Sequence, residues 1–192
     1  MKRCLIMMCF AFLAATGAMA QQKKTVPPPP KPADDGPSLE ITMKFIQDKL
    51  NDIGPVNYVI YYHDNEVGND WTAHQKSELT NAVADPSACR ISYHVKETGE
   101  VPYDSNDQFS LENVKNIAVM SLEQRKKQIS TAMGHPSWKP TVDPPVFLVD
   151  VRRTDVRWSN AFAFFDEELA NRVAKALLRA VELCGGGNKE PF

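Results

Sequence analysis

Beyond residue 20 the chain has no apolar run approaching the roughly 20 residues that a membrane-spanning helix needs. No later segment is therefore expected to cross a bilayer as a helix. Glycine is sparse, at 9 of 192 residues. It forms neither G-x-x-x-x-G-K followed by Ser or Thr nor G-x-G-x-x-G, which excludes the common phosphate-cradling loops. The G-x-S-x-G elbow of serine hydrolases is also missing. The four histidines are His63, His74, His94 and His135. No two fall at the H-x-x-x-H or H-x-H spacing of a metal pair on one helix or strand, so no metal or other cofactor is expected. Neither sign of charge prevails, with 22 basic against 24 acidic residues and a net charge of −2. That balance argues against generic nucleic-acid binding and against attraction to anionic membranes.

What the chain does have is concentrated at its start. Lys2 and Arg3 form a short basic stretch, Leu5 to Ala15 is apolar, and Ala18-Met19-Ala20 places small residues where a signal peptidase reads them. This is the pattern of a secretory signal peptide cleaved after Ala20. The competing reading, an uncleaved anchor, suffers from the shortness of the apolar stretch. A lipid anchor would need a cysteine directly after that stretch, and Cys4 and Cys9 lie before or inside it. Cleavage would leave 20 basic and 24 acidic residues, a net charge of −4. The chain is therefore expected to be secreted or periplasmic.

Cleavage would also leave two of the four cysteines, Cys89 and Cys184. In an oxidising compartment two cysteines suggest one disulfide, and only one intramolecular pairing exists. It would close a loop of about 95 residues, worth about 4–5 kcal/mol in the chain-entropy account. Two buried free thiols are the alternative.

Residues 21–37, with Pro27 to Pro30, Pro32 and Pro37, have almost nothing to bury and are expected to be an extended, solvated linker. Such a segment could be a spacer, a leader left by processing, or a proline-rich ligand. One domain is expected over 38–187, followed by a disordered tail at 188–192. Leu39, Met43, Ile46, Leu50 and Ile53 recur every three or four residues, which predicts a helix capped by Ser38 and ended by Gly54-Pro55. Strand-like segments follow at 58–62, weakly at 78–83, at 89–96 with Cys89, Ile91, Tyr93 and Val95 on one face, at 109–111, 117–120, 146–151 and 161–165. The polar stretch 121–143 reads as a long loop holding a short helix over 124–132. The chain then predicts a helix from Glu167 to Leu183, capped by Asp166 and terminated by Gly185-Gly186-Gly187.

A bent antiparallel sheet of six to seven strands between two helices makes an α+β domain. Its order resembles the pleckstrin-homology-like fold. The likeness covers Tyr58 to Cys184. It is carried by the ending NAFAFFDEELANRVAKALLRAVELC, a last strand, an acidic turn and a capping helix, and by FSLENVKNIAVM in the position of middle strands. The chain also looks like uncharacterised secreted bacterial proteins that end in CGGG, a likeness that implies no activity. Some pleckstrin-homology-like domains bind phosphoinositides through Lys and Arg on the first two strands and the loop between them. Here that loop, Asp64 to Trp71, is acidic and would repel a phosphate. The resemblance thus implies a scaffold, from which no function follows.

Each candidate functional residue has a plainer structural explanation beside it. Trp71 is either an exposed anchor for a partner or a ring packed on the sheet edge. His63 beside Asp64 could be half of an acid–base pair, or a polar strand end. His135, in Gly134-His135-Pro136-Ser137-Trp138, could line a pocket, or sit in a turn that Trp138 pins. His94 lies on the polar face of its strand. Asp166, Glu167 and Glu168 are explained by helix capping without invoking paired catalytic carboxylates. Arg152 and Arg153 are adjacent on a strand and so point to opposite faces and cannot form one anion clamp; with Asp150, Asp155 and Arg157 nearby, surface ion pairing between these acids and arginines is the plain explanation. The sequence therefore points to a non-enzymatic binding or assembly module whose partner is another extracytoplasmic protein, with Trp71 and Trp138 as binding residues. Two alternatives are an enzyme using His135 or His63 in a pocket, and an accessory protein of the cell envelope. The oligomeric state is not encoded in any pattern of the sequence.

Overall fold

Ser38 opens the first helix, its hydroxyl accepting a hydrogen bond from the Ile41 amide. A computed structural model describes residues 36–187. The signal peptide expected at 1–20, the linker expected at 21–37 as far as residue 35 and the tail expected at 188–192 lie outside the described residues. Helix α1 (Leu39–Asn51) buries Met43, Ile46 and Leu50 completely, the face that the apolar spacing predicts. Gly54 then takes a left-handed backbone conformation (φ 65°), which turns the chain into the first strand.

Eight antiparallel strands follow: β1 (Val56–Asp64), β2 (Asp70–Asp85), β3 (Arg90–Thr98), β4 (Tyr103–Ser110), β5 (Val114–Ser121), β6 (Trp138–Asp143), β7 (Phe147–Arg153) and β8 (Asn160–Phe164). They form two sheets, a five-stranded one in the order β4-β3-β2-β1-β6 and a three-stranded one in the order β5-β7-β8. The sheets are not closed into a barrel. Helix α2 (Leu122–Ala132) links β5 to β6, and helix α3 (Glu167–Leu183) ends the domain. The domain is thus α+β with a helix at each end. Among the described residues no helix is long and apolar enough to cross a membrane.

The main core lies where α1 and α3 pack on both sheets. Helix α3 buries Ala170, Val173, Ala174, Leu177, Ala180 and Val181 along one face. Each Val or Leu so buried contributes about 1.5–3 kcal/mol of transfer free energy. Across the sheets, Tyr93 of β3 meets Phe162 of β8 edge-on at 5.2 Å, and the Asn160 amide donates to the Tyr93 hydroxyl at 2.8 Å. A second cluster gathers Val56, Ile60, Tyr62, Leu122, Val142, Val146 and Leu148 around β1, α2 and β7.

Several elements depart from the sequence expectation. Strand β2 runs for 16 residues where only 78–83 reads weakly as a strand. A bulge between Thr80 and Val83, with Asn81 at φ 55°, explains the difference. Before it, odd-numbered residues such as Leu79 face inward; after it, Ala82 and Ala84 do. A period-two pattern cannot survive that change of phase. Helix α1 satisfies the bulged backbone: Asn51 bonds both the Ala82 amide and its carbonyl, and Gln47 accepts from the Ala84 amide. Strand β4 was legible only at Phe109, since the other residues of YDSNDQFS are polar and unburied on an edge strand. The stretch 121–143 is an ordered α2–turn–β6 unit, with β6 pairing β1. Cys89 lies in the turn before β3 at φ 47°, not on the strand face with Ile91. Asp150 is buried at 1 % exposure, not a surface group. It accepts from Arg152 and Ser159, with Arg125 at 3.6 Å.

Candidate functional site

The sequence candidates His63, Trp71, His135 and Trp138 span 75 residues of chain, yet strand pairing brings all four to one corner. A tight turn at 65–69 folds β1 back on β2, with the Gly68 amide donating to the Asp64 carbonyl at 2.8 Å. This pairs Tyr62 with Trp71 and His63 with Asp70. On the other side of β1, Asp64 pairs with Trp138 and Tyr62 with Pro140 of β6.

Tyr62, Trp71 and Trp138 all stand on the inward face at this end of the large sheet. Tyr62 and Trp71 stack at 4.8 Å, and Trp138 meets Trp71 edge-on at 4.7 Å. His135 stacks flat on Trp138 at 4.1 Å. Tyr62 is buried, both tryptophans are half-buried, and His135 is exposed. Asp64, 9 % exposed, ties the corner together. Its carboxylate accepts from the Glu66 amide at 2.9 Å and from the Trp138 indole N–H at 3.1 Å. The Glu66 amide is the main reason its carboxyl titrates below the usual aspartate range. Asp64 therefore does not pair with His63. His63 pairs instead with Asp70, Nδ1 to Oδ1 at 2.6 Å, on the exposed outer face of the hairpin. His135 accepts from Trp138 through its backbone carbonyl and donates through its amide to Ser130, so it belongs to the turn that links α2 to β6. Trp138 pins that turn.

Sequence reasoning missed a second feature, a groove along the seam where the two sheets fail to close. Its wider part, about 480 Å³, lies between β3–β4 and the free edge of β8. Tyr93, Tyr103 and Trp158 form its walls, Val95 and Ala161 its floor, and Glu97 its inner end. Trp158 is 72 % exposed at the mouth. A narrower part of about 160 Å³ continues past Glu97 to Tyr58, Glu100 and Lys126. Burial holds Tyr58 up at about 12 and also raises Glu97 above the ordinary glutamate range. Lys126 bonds Glu100 at 2.9 Å. Burial works to lower its pKa, but Glu100 and Tyr62 outweigh that and raise it. The signal that could have revealed this groove is Glu97 itself. It shares the parity of the buried Ile91, Tyr93 and Val95 and so puts a carboxylate at the exposed end of the apolar face of β3.

The chemistry available differs between the two places. The corner offers flat aromatic surface with an exposed imidazole, and the His63–Asp70 pair lies on the exposed outer face of the hairpin. The cavities that open on the groove are lined by neither His63 nor His135. Among the described residues no three His, Cys, Asp or Glu side chains converge on a metal-sized site. Cys89 and Cys184 are joined in a disulfide across 95 residues and are not available as nucleophiles or ligands. Compared with protein-family models, with curated proteins and with solved structures, the chain finds no match.

Proposed function

We propose that this chain is a non-enzymatic binding or assembly module of the secreted or periplasmic compartment, and that it holds a protein partner at its aromatic corner. The observation that carries the reading is the assembly of Trp71, Trp138 and His135 into one partly exposed ring cluster. Tryptophan at a half-open site offers a large contact area at low entropic cost, which is why it dominates the energetics of interfaces. The corner is also held rigidly, through Asp64 and the paired strands, so little ordering is required on binding. The compartment is supported by the Lys2-to-Ala20 signal pattern and by the Cys89–Cys184 bridge, a bond favoured by oxidising surroundings. A pleckstrin-homology-like arrangement is our proposal for its fold. It is supported by a four-strand meander, a second three-stranded sheet and a closing helix, with α2 and β6 as an addition.

The test is cross-linking of the native protein in its cells, followed by mass spectrometry of the extracytoplasmic fraction. A near-stoichiometric partner is expected, lost with Trp71→Ala and kept with Trp158→Ala, which alters a different face. Thermal melts of both variants would show that the fold survives. Recovery of uncross-linked protein alone, or a partner insensitive to Trp71→Ala, would overturn the assignment.

A further inference from the structure

We propose that the free edge of β8 takes up an extended segment of a partner protein as an added strand, held in the seam groove. The proposal stands apart from the aromatic corner and uses none of its residues.

Four strands end a sheet: β4, β6, β5 and β8. An unpaired edge is a template for any passing strand, and folded proteins guard it with charge, proline, bulges or cover. Strand β4 carries Asp104 and Asp107 within YDSNDQFS. Strand β6 carries Lys139 and Pro140. Strand β5 carries Lys115, breaks its register between Val114 and Asn116, and gives its Val114 carbonyl to the Gly187 amide. Strand β8, NAFAF, is short but has none of these guards: no charge, no proline, and an unbroken register of five pairs with β7. Exposed rings flank it instead, Trp158 before and Phe165 after. Beyond its pairing with β7, its backbone makes no hydrogen bond to any other described residue. Phe162 and Phe164 are 1 % and 2 % exposed, so their amides and carbonyls are the ones that face β7. The backbone groups of Ala161 and Ala163, one residue exposed and the other half-buried, then point to the open edge.

The groove beside this edge says what fits there. The main-chain groups of an edge are matched in series by another extended main chain. Tyr93 of β3 and Tyr103 of β4 line the same cavity as Asn160 and Ala161, so they stand across from the edge. The space between them, about 480 Å³, suits a slender strand rather than the broad side of a second domain. Val95 and Ala161 on its floor favour small apolar side chains such as valine at alternate positions of the incoming segment. The charge is one-sided as well. Glu97 and Asp107 line this part of the groove and no basic residue does. An acidic segment would be repelled, so the segment that complements the groove is neutral or basic. It would extend the small sheet to four strands, in the order β5-β7-β8-partner.

The test is an NMR titration of the full chain with a capped heptapeptide, Ser-Thr-Val-Lys-Val-Thr-Ser. Two further peptides replace its central lysine with glutamate or with proline. Saturable binding of the lysine peptide is expected, and solvent exchange of the Ala161 and Ala163 amides should slow about tenfold near saturation. That protection separates strand pairing from side-chain contact. The glutamate peptide should bind more weakly. The proline peptide, which cannot donate at its centre, should not bind. Ala163→Pro removes one edge amide and should abolish binding. Ala161→Lys, a change at an exposed position whose folding a thermal melt checks, should weaken it about tenfold or more. No saturation below about 10 mM peptide, binding without protection of the two amides, or unchanged affinity in Ala161→Lys would overturn the proposal. Protection of both amides that grows with protein concentration in the absence of peptide would assign the edge to a second copy of the chain, and would overturn it as well.

Discussion

Glu97 shows how one carboxylate at the edge of the groove shapes the pH dependence of folding. Burial is the largest influence on it and raises its pKa, while Lys126 draws it back down. Glu100 and Tyr58 share the narrow end of the groove with it. The sign of the linkage follows. The folded state holds the proton more tightly than the unfolded chain, so stability falls as pH rises from the ordinary glutamate range through the raised value. Glu97→Gln removes that penalty. Its thermal midpoint should exceed that of the parent at pH 7, and the advantage should vanish at about pH 3, where both states are protonated. Melts at the two pH values check this. A variant less stable than the parent at pH 7 would mean that Lys126 already neutralises the carboxylate. Asp64 has the opposite sign: its lowered pKa supports the fold above the ordinary aspartate range and is lost on acidification. The two acids therefore pull the pH profile of stability in opposite directions.

At the scale of elements, the Cys89–Cys184 bridge joins the cap of α3 to the turn between β2 and β3. The same turn receives the Leu111 amide on the Cys89 carbonyl at 2.8 Å, so β4 is tied to it as well. Opening the bridge frees a 95-residue loop and should lower the unfolding free energy by about 2–5 kcal/mol. Urea melts with and without reductant measure this, with Cys89→Ser/Cys184→Ser as a chemical control. A loss below about 1 kcal/mol would show that packing of α3 on the sheets already restrains the chain. Which elements could be read from the sequence follows from the same packing. Helices α1 and α3 each bury one continuous stripe, so their spacing is visible, and Ser38 and Asp166 mark their starts. Strand β7 buries Leu148, Val149, Asp150 and Val151 in succession, so its apolar run stands out. Strand β2 is obscured by its bulge, β4 by its polar edge, and β6 by Pro140 within six residues. The aromatic corner was named residue by residue, but its assembly depends on β1 pairing with both β2 and β6, which no local pattern encodes. The groove was missed because it exists only between sheets whose relative placement is a property of the whole core.

At the scale of the molecule the question is whether two sheets and two apolar clusters behave as one unit. The main core takes Tyr93, Phe109 and Ile91 from the large sheet and Val149, Phe162 and Phe164 from the small one. Phe162 sits at the junction, 1 % exposed, edge-on to Tyr93 at 5.2 Å and 6.4 Å from Phe109. The second cluster is separate in its contacts, but β1 and β7 run through it and into strands of the main core. That continuity predicts one cooperative transition. Phe162→Ala should cost about 3–5 kcal/mol by leaving a cavity between the sheets. Its effect should be felt equally at Trp71 and Trp138, which report the other cluster. Far-ultraviolet dichroism and tryptophan fluorescence should therefore shift to the same lower urea midpoint in the variant. If fluorescence held its parent midpoint while dichroism moved, the aromatic corner would be an autonomous unit built on β1, β2 and β6. A binding partner could then stabilise that corner without stabilising the groove. Coincident shifts instead imply that occupancy of the corner strengthens the whole folded state, so that a partner held there would raise the midpoint of the entire domain.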